Sequence, residues 1–211
     1  MPLFKTISVT NGLLAVWQIT ESSGELQSFF TSEELADPNF QKYSFEKRKV
    51  EWLAIRVLLK QMIGSGFEIY YTEVGKPMIK HPLYKHISIS HSRDFAAVCI
   101  HQHHSIGIDI ESMTRNYASV KKRYLSESEL EQVNENSMLQ CIYWCAKEAI
   151  FKLVDKEGVD FRKQIHVLPF PPETNIFFVR YIFDNHVKTL QLEYESFNQH
   201  CLVWVCGDSA I

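Results

Sequence analysis

The stretch SIGIDIE at residues 105–111 alternates apolar and polar residues without a break. Alternation with a period of two predicts a β-strand with the isoleucines on one face and the polar residues on the other. Asp109 and Glu111 then share a face and lie roughly 7 Å apart along the strand. Two carboxylates at this spacing repel each other unless a cation lies between them, so the strand indicates a site for a hard divalent metal ion.

A second stretch, WCAKEAIFK at residues 144–152, lacks turn residues and predicts a helix. At about 100° per residue, Trp144, Glu148 and Lys152 form one stripe. The helix also has a separate apolar arc that is expected to pack in the core: Ile142, Ala146, Ala149, Ile150 and Leu153. Glu148 is then free to be a third oxygen ligand, and Lys152 to hold an anion bound to the same metal. Carboxylates around Mg²⁺ are typical of sites for phosphate esters.

Each stretch alone also fits an ordinary structural role. An amphipathic edge strand alternates Ile with Asp or Glu, and Glu148 with Lys152 is a common helical ion pair. Their occurrence together, with the residues described below, favours the metal site.

The ordered pair IGIDIE and WCAKEAIFK resembles the paired signature of the 4′-phosphopantetheinyl transferase superfamily, with Glu111 at the family's second acidic position. The resemblance implies a transferase of the holo-[acyl-carrier-protein] synthase type. Such an enzyme moves the 4′-phosphopantetheine arm of coenzyme A onto a serine of an apo carrier protein and releases 3′,5′-ADP. It also implies that Asp109, Glu111 and Glu148 bind Mg²⁺, or alternatively Mn²⁺.

The length of 211 residues is similar to that of the larger, Sfp-type members of this family. The resemblance therefore implies an α+β fold of two similar α/β lobes related by a pseudo-twofold axis. We expect an N-terminal lobe at residues 1–103 and a C-terminal lobe with the metal-binding motifs at residues 104–211. Shifting the chain by 92 residues, which places Trp52 on Trp144 and Lys60 on Lys152, agrees with an internal repeat.

Coenzyme A carries phosphates, so cationic and hydrogen-bonding side chains are expected around it. The basic residues of the helix predicted from Tyr43 to Met62 also fit a solvated face. A lysine in the turn at residues 75–77 and a histidine after a strand are, likewise, usually structural. The resemblance assigns coenzyme A contacts to Arg48, with Arg56 as the second choice, and to Lys76, Ser90, His91 and Lys152.

The carrier serine must lose a proton, and two glutamates are candidates for the base that accepts it. Glu148 belongs to the helix motif, and Glu129 matches a family glutamate that has been assigned to metal binding or base catalysis. Glu129 also fits a structural role, because Ser126 three residues earlier predicts a capping box. The catalytic set is therefore Glu148, Glu129 and Lys152, with the base undecided.

The composition is that of a globular protein, and a net charge of −3 argues against a broad basic surface for nucleic acid. The sequence has no apolar run long enough to cross a bilayer and no signal-peptide pattern at its start, so a cytoplasmic protein without membrane contact is expected. A monomer is expected, because both lobes lie in one chain. The five cysteines show no CxxC pair and are interpreted as reduced core thiols.

The type of carrier, whether from fatty-acid, polyketide or peptide synthesis, stays open. Tyr117, Val120 and Tyr124 are interpreted as an exposed patch that could bind a carrier helix. Two other functions also fit the residues. A Mg²⁺-dependent hydrolase of another diphosphate ester would share the acidic site, and a non-catalytic module would bind only coenzyme A or a carrier protein.

Overall fold

The computed structural model describes residues 3–171, 173–184 and 186–207. The strands are β1 (Leu3–Val9), β2 (Gly12–Gln18), β3 (Glu68–Tyr71), β4 (Pro77–Lys80), β5 (His86–His91), β6 (Phe95–His101), β7 (Ile106–Ser112), β8 (Ile165–Val167), β9 (Ile176–Phe183), β10 (His186–Phe197) and β11 (His200–Cys206). The helices are α1 (Ser23–Gln27), α2 (Ser32–Leu35), α3 (Pro38–Gln41), α4 (Glu46–Ile63), α5 (Lys121–Tyr124), α6 (Glu127–Val133), α7 (Ser137–Val154) and α8 (Phe161–Gln164). The chain is thus a mixed α/β protein with several sheets, in agreement with the α+β prediction.

The N-terminal half contains an antiparallel sheet in the order β1-β2-β6-β5 and a small hairpin of β3 and β4. Helix α4 packs on β2 and β6, and its middle residues are buried in the core of this half. The helix is free of Pro and Gly over 18 residues and ends at Gly64, whose positive φ of 75° suits glycine. It agrees closely with the predicted helix from Tyr43 to Met62.

The C-terminal half contains an antiparallel sheet in the order β7-β11-β10-β9-β8, with α7 packed on β7 and β11. Asn136 caps α7 by accepting a hydrogen bond from the backbone N–H of Leu139. The predicted apolar arc of this helix is buried. Helix α7 therefore presents its remaining stripe toward the N-terminal half.

The two larger sheets meet where their edge strands β5 and β7 lie side by side. Serine hydroxyls of β5 join them: Ser88 Oγ accepts from the backbone N–H of Ile108 at 3.1 Å, and Ser90 Oγ from that of Ile110 at 3.2 Å. A core cluster built from both halves fills the space between the sheets. Residues 40 or more positions apart can therefore line one site.

Gly107 allows α7 to approach β7 closely. A Cβ atom built on this glycine would lie 1.9 Å from the carbonyl oxygen of Ala149, so any side chain would push the helix away. The glycine in the middle of the strand motif thus brings the backbone next to Glu148 against the strand that carries Asp109.

The segment between the two motifs corrects one prediction. The side chains of Tyr117 and Tyr124 are buried, so they do not form the exposed carrier patch expected from the sequence. Their hydroxyls donate hydrogen bonds to the carbonyl oxygens of Ser112 and Gln140, respectively, at 3.0 Å. Aromatic rings in a polar, irregular segment suggested exposure, but here they anchor the segment to the core. The helices of the described residues include none long and apolar enough to span a membrane.

Candidate active site

A cavity of about 420 Å³ lies between the two halves, where α4, β5, β7 and α7 converge. Its lining includes the stripe Trp144, Glu148 and Lys152 predicted on α7. It also brings together most of the candidate site residues from both halves: Arg48, Arg56, Ser90, His91, Asp109, Glu111, Glu148 and Lys152. Two candidates, Lys76 and Glu129, are not among its lining residues.

Asp109 is the most buried carboxylate of this cavity apart from Glu51, with 6% of its surface exposed. Its Oδ1 accepts hydrogen bonds from Ser90 Oγ at 2.7 Å and from Lys152 Nζ at 2.9 Å. Its Oδ2 is buried and has no hydrogen-bond partner. One oxygen is thus held in place by β5 and α7, while the other lacks the partner that a buried carboxylate oxygen requires.

Ser90 acts in this arrangement as a positioning residue for Asp109. The serine donates its single hydroxyl hydrogen to Asp109 and accepts from the backbone N–H of Ile110. A hydroxyl has only one hydrogen to donate, and Ser90 donates it to Asp109. The predicted contact of Ser90 with coenzyme A stays a prediction.

Glu148 and Glu111 complete the acidic group. Burial, followed by the negative charges of Asp109 and Glu111, raises the pKa of Glu148 to about 7, although Lys152 opposes the shift. Burial and the charge of Asp109 also raise the pKa of Glu111, with Arg115 acting in the opposite direction. The carboxylates therefore repel one another at neutral pH, and each would be stabilised by a nearby cation.

These residues fit a magnesium ion. The unpartnered Oδ2 of Asp109 offers a ligand atom, and the three side chains supply the oxygen donors that this ion prefers. Arg115 forms an ion pair with Oε1 of Glu111, so the other oxygen of that carboxylate is the one left for a metal.

The wall formed by α4 contains a glutamate that the sequence analysis missed. Glu51 is 4% exposed and forms an ion pair with Arg48 at 3.0 Å. His91 Nδ1 lies 3.4 Å from its Oε1. Burial lowers the pKa of His91 below its ordinary value, and Glu51 opposes this shift. The only sequence signal for Glu51 was its position three residues after Arg48 in a helix, a spacing that is too common to single it out.

Arg56 lies deeper in the same wall. Its guanidinium group lies 3.5 Å from the ring centroid of Trp52, and only 7% of the residue is exposed. Burial lowers the pKa of Arg56, mainly because desolvation disfavours its charge. A buried arginine stacked on an aromatic ring is held in one orientation, as expected of a residue that binds a phosphate or a planar group.

Lys76 lies in a neighbouring cavity of about 290 Å³ between the β3–β4 hairpin and the end of α7. Pro77, Ile89 and Lys152 line both this cavity and the larger one, so the two adjoin. Lys76 Nζ lies 3.5 Å from Asp155. Its position is compatible with an elongated ligand that extends beyond the acidic group.

Glu129 lies in the core of the C-terminal half. Its Oε2 accepts hydrogen bonds from Lys147 Nζ and from the backbone N–H of Ser126, both at 2.8 Å, and its Oε1 accepts from the backbone N–H of Val167 at 2.9 Å. The capping box with Ser126 is confirmed. Both oxygens of Glu129 are therefore already partnered, and its assignment as a base stays a prediction.

Comparisons with known proteins agree with this geometry. A family model described as the 4′-phosphopantetheinyl transferase superfamily matches residues 105–205, a segment that contains both sequence motifs. The 4′-phosphopantetheinyl transferase AcpT of Salmonella typhimurium is 31% identical over 112 residues, which cover 50% of this chain and 58% of the relative. AcpT of Escherichia coli K12 is 30% identical over the same length and is covered to 57%.

A 4′-phosphopantetheinyl transferase from Aneurinibacillus migulanus, gsp, is also 30% identical over 112 residues, covering 49% of this chain and 46% of that protein. The chain spans about half the length of the curated relatives it matches. The match confirms, for residues 105–205, the superfamily predicted from the two motifs.

Proposed function

Because residues 105–205 belong to the 4′-phosphopantetheinyl transferase superfamily, we propose that this protein transfers the 4′-phosphopantetheine arm of coenzyme A to a serine of an apo acyl or peptidyl carrier protein. The other product is 3′,5′-ADP. The observation that carries the proposal is the convergence of acidic groups, Lys152 and basic residues of α4 on one cavity between the two halves.

The cavity has the charge pattern that a diphosphate ester requires. Arg48 and Arg56 on α4 and Lys152 on α7 supply positive charge around the acidic group, and His91 adds a further donor when protonated. Lys76 in the adjoining cavity extends this positive charge. We propose that these residues bind the phosphates of coenzyme A and orient the bond that breaks.

Asp109, Glu111 and Glu148 would hold a Mg²⁺ or Mn²⁺ ion. When bound, the ion supplies positive charge that neutralises the diphosphate as the phosphorus–oxygen bond breaks. Lys152 contributes in two ways: its ammonium group donates to Asp109 and keeps that carboxylate oriented, and it lies at the cavity surface with 28% of its side chain exposed.

Glu148 is the better candidate for the base that accepts the serine proton. It lines the cavity where the serine and the phosphates of coenzyme A would meet, whereas Glu129 is not among the lining residues. Glu129 is 1% exposed and already accepts three hydrogen bonds.

We further propose that the two halves are lobes of an Sfp-type pseudo-dimer, with the boundary between residues 103 and 104. Each half has a larger antiparallel sheet and an 18-residue helix, α4 or α7, and both helices face the shared cavity. The protein would then act as a monomer, since the partner lobe is part of the same chain. We also propose that it acts in the cytoplasm, as expected from the sequence.

The direct test is intact-mass spectrometry of several purified apo carrier proteins after incubation with coenzyme A, Mg²⁺ and this protein. We expect one carrier to gain a single phosphopantetheine group, and we expect no gain in the carrier whose acceptor serine is replaced by alanine. Release of phosphopantetheine or nucleotide without any carrier would instead support a hydrolase. Binding of coenzyme A without modification of any carrier would support a non-catalytic module.

A further inference from the structure

Three cysteines that are distant in sequence converge in the core of the C-terminal half. Cys141 and Cys145 lie one turn apart on α7, and Cys201 lies on β11. Their sulfur atoms all lie within 4.8 Å of one another, their side chains are fully buried, and none forms a disulfide. We propose that this thiol cluster, Cys141, Cys145 and Cys201, binds a soft divalent metal ion at a site separate from the carboxylates.

The spacing of the sulfurs suits such an ion. Zinc and chemically similar ions lie about 2.3 Å from thiolate sulfur, so three sulfurs around one ion in a plane are roughly 4 Å apart. The sulfurs of the cluster are at most 4.8 Å apart, and contraction by less than about 1 Å would reach that geometry. Rotations of cysteine side chains and small shifts of α7 against β11 suffice for this.

The existing contacts of the thiols are weak enough to be given up. The Sγ atoms of Cys141 and Cys145 donate to the carbonyl oxygens of Glu111 and Cys201, each at 3.8 Å. The Tyr117 hydroxyl lies 3.0 Å from the carbonyl oxygen of Ser112 and 3.2 Å from Cys141 Sγ, and its one hydrogen would turn to the sulfur once that sulfur is a thiolate. The cluster therefore has a donor within reach of one thiolate, and the contacts that its own S–H groups make are long.

The balance of charge favours a divalent ion. Binding by three thiols releases three protons to solvent and leaves three thiolates, so a divalent ion leaves one net negative charge and a monovalent ion leaves two. Net charge is costly in a buried site, and the smaller charge is easier to accommodate. Thiolates select ions such as Zn²⁺ and Cd²⁺ over Mg²⁺, which prefers oxygen ligands, so the thiol cluster and the acidic group would not compete for the same metal.

An ion at the thiol cluster would tie α7 to β11 directly behind the cavity. Cys201 is opposite Glu111 in the register of β11 and β7, and Cys145 is three residues before Glu148. The proposed site would therefore stabilise the helix and the sheet that position the three carboxylates.

Cadmium is the sharper probe, because thiolate-bound Cd²⁺ has a charge-transfer absorption in the ultraviolet that carboxylate-bound Cd²⁺ lacks. The cluster is closed to solvent, so the chain must be unfolded before an ion can enter. The full chain is unfolded in urea with a phosphine reductant and refolded with Cd²⁺ or Zn²⁺. Weakly bound ion is removed by gel filtration. We expect about one ion per chain, the charge-transfer band with Cd²⁺, and a higher Tm than for protein refolded without metal.

Single replacements locate the ion. Cys141→Ala, Cys145→Ala and Cys201→Ala should each lose the band and bind Cd²⁺ at least tenfold more weakly. Cys99→Ala is the matched control, because Cys99 is also buried but lies outside the cluster. This variant should keep the charge-transfer band and the wild-type affinity for Cd²⁺. Asp109→Asn should also keep the band, so this test does not depend on the proposed transferase reaction.

The proposal is overturned if wild-type protein refolded with Cd²⁺ shows no band. It is also overturned if Cys99→Ala lowers binding as much as the cluster variants do. If a cluster variant fails to fold, the strength of the band in wild-type protein decides the question. Its absorbance per bound Cd²⁺ grows with the number of thiolate ligands, so three thiolates should give about three times the absorbance of a single thiolate bound to Cd²⁺, and the absorbance of one thiolate contradicts the proposed site.

Discussion

Two lysines of α7 form ion pairs with carboxylates in very different surroundings. Lys147 is fully buried, and it donates to Glu129 at 2.8 Å and to the carbonyl oxygens of Phe161 and Ile165. Lys152, five residues later, donates to Asp109 at 2.9 Å at the edge of the cavity. The charges and distances are similar, but Asp109 keeps a buried oxygen without a partner and Glu129 does not.

Whether a carboxylate has an unpartnered oxygen distinguishes a structural ion pair from a functional one better than its burial or charge does. A buried carboxylate whose oxygens are all satisfied holds elements together, whereas one with an unsatisfied oxygen has a free position for a ligand. The five predictions below test this comparison, from the largest expected effect to the smallest.

Removal of the Lys147 ammonium should mainly cost stability. We expect Lys147→Met to lower the free energy of unfolding by about 3–5 kcal/mol, because it leaves the charge of Glu129 buried without its partner. Urea unfolding measures the loss, and the transfer rate per folded molecule should be unchanged. Lys152→Met is the matched control and should show the reverse pattern, with a smaller loss of stability and a lower transfer rate. Similar behaviour of both variants would invalidate the comparison.

Replacement of the carboxylate at the cavity should mainly cost activity. We expect Asp109→Asn to lower the transfer rate by about 10²- to 10³-fold, because a preorganised charge near the reacting phosphate is lost. Initial rates at saturating Mg²⁺ and coenzyme A measure this effect. The amide keeps the shape of the side chain, so Tm should change little. A rate within tenfold of wild type would refute the role of Asp109.

The raised pKa of Glu148 predicts a pH dependence of metal binding. A proton must leave this carboxyl group before it can bind a cation, so below pH 7 the apparent Kd for Mg²⁺ should rise by up to tenfold per pH unit. Above pH 8 it should be nearly constant. Isothermal titration calorimetry in buffers of different ionisation enthalpy measures both the affinity and the released proton.

The raised pKa of Glu148 also predicts how the folding stability of the metal-free protein changes with pH. The folded pKa of Glu148 of about 7 lies above the value of about 4.3 expected in the unfolded chain, so its ionisation opposes folding as the pH rises from about 4 to 7. Glu148→Gln should therefore be more stable than wild type at pH 8 and lose that advantage at pH 4. A stabilisation that is independent of pH would contradict the shift.

Glu51 is an intermediate case, because it is buried, paired with Arg48, and has an Oε1 without a hydrogen bond. We expect Glu51→Gln to raise the KM for coenzyme A by about three- to tenfold with little change in kcat, since Arg48 and His91 lose the charge that positions them. Steady-state kinetics with varied coenzyme A tests this. A large fall in kcat at unchanged KM would instead assign Glu51 to the chemical step.

The sequence alone was sufficient to predict β7 and α7 and the residues that these two elements bring to the cavity. Alternation and helical periodicity are local patterns, so they predict which side chains share a face without knowledge of the rest of the chain. Asp109, Glu111, Glu148 and Lys152 could therefore be identified, and the match over residues 105–205 confirms the superfamily that their motifs indicated.

Only the tertiary structure decided which polar groups are already partnered. Glu129 and Glu148 are equally plausible bases in the sequence, but the partners of Glu129 include Val167, 38 residues away. The burial of Tyr117 and the convergence of Cys201 with two cysteines of α7 likewise depend on contacts between distant segments. Sheet register and the packing of helices on sheets determine such contacts, and no local period in the sequence reports them.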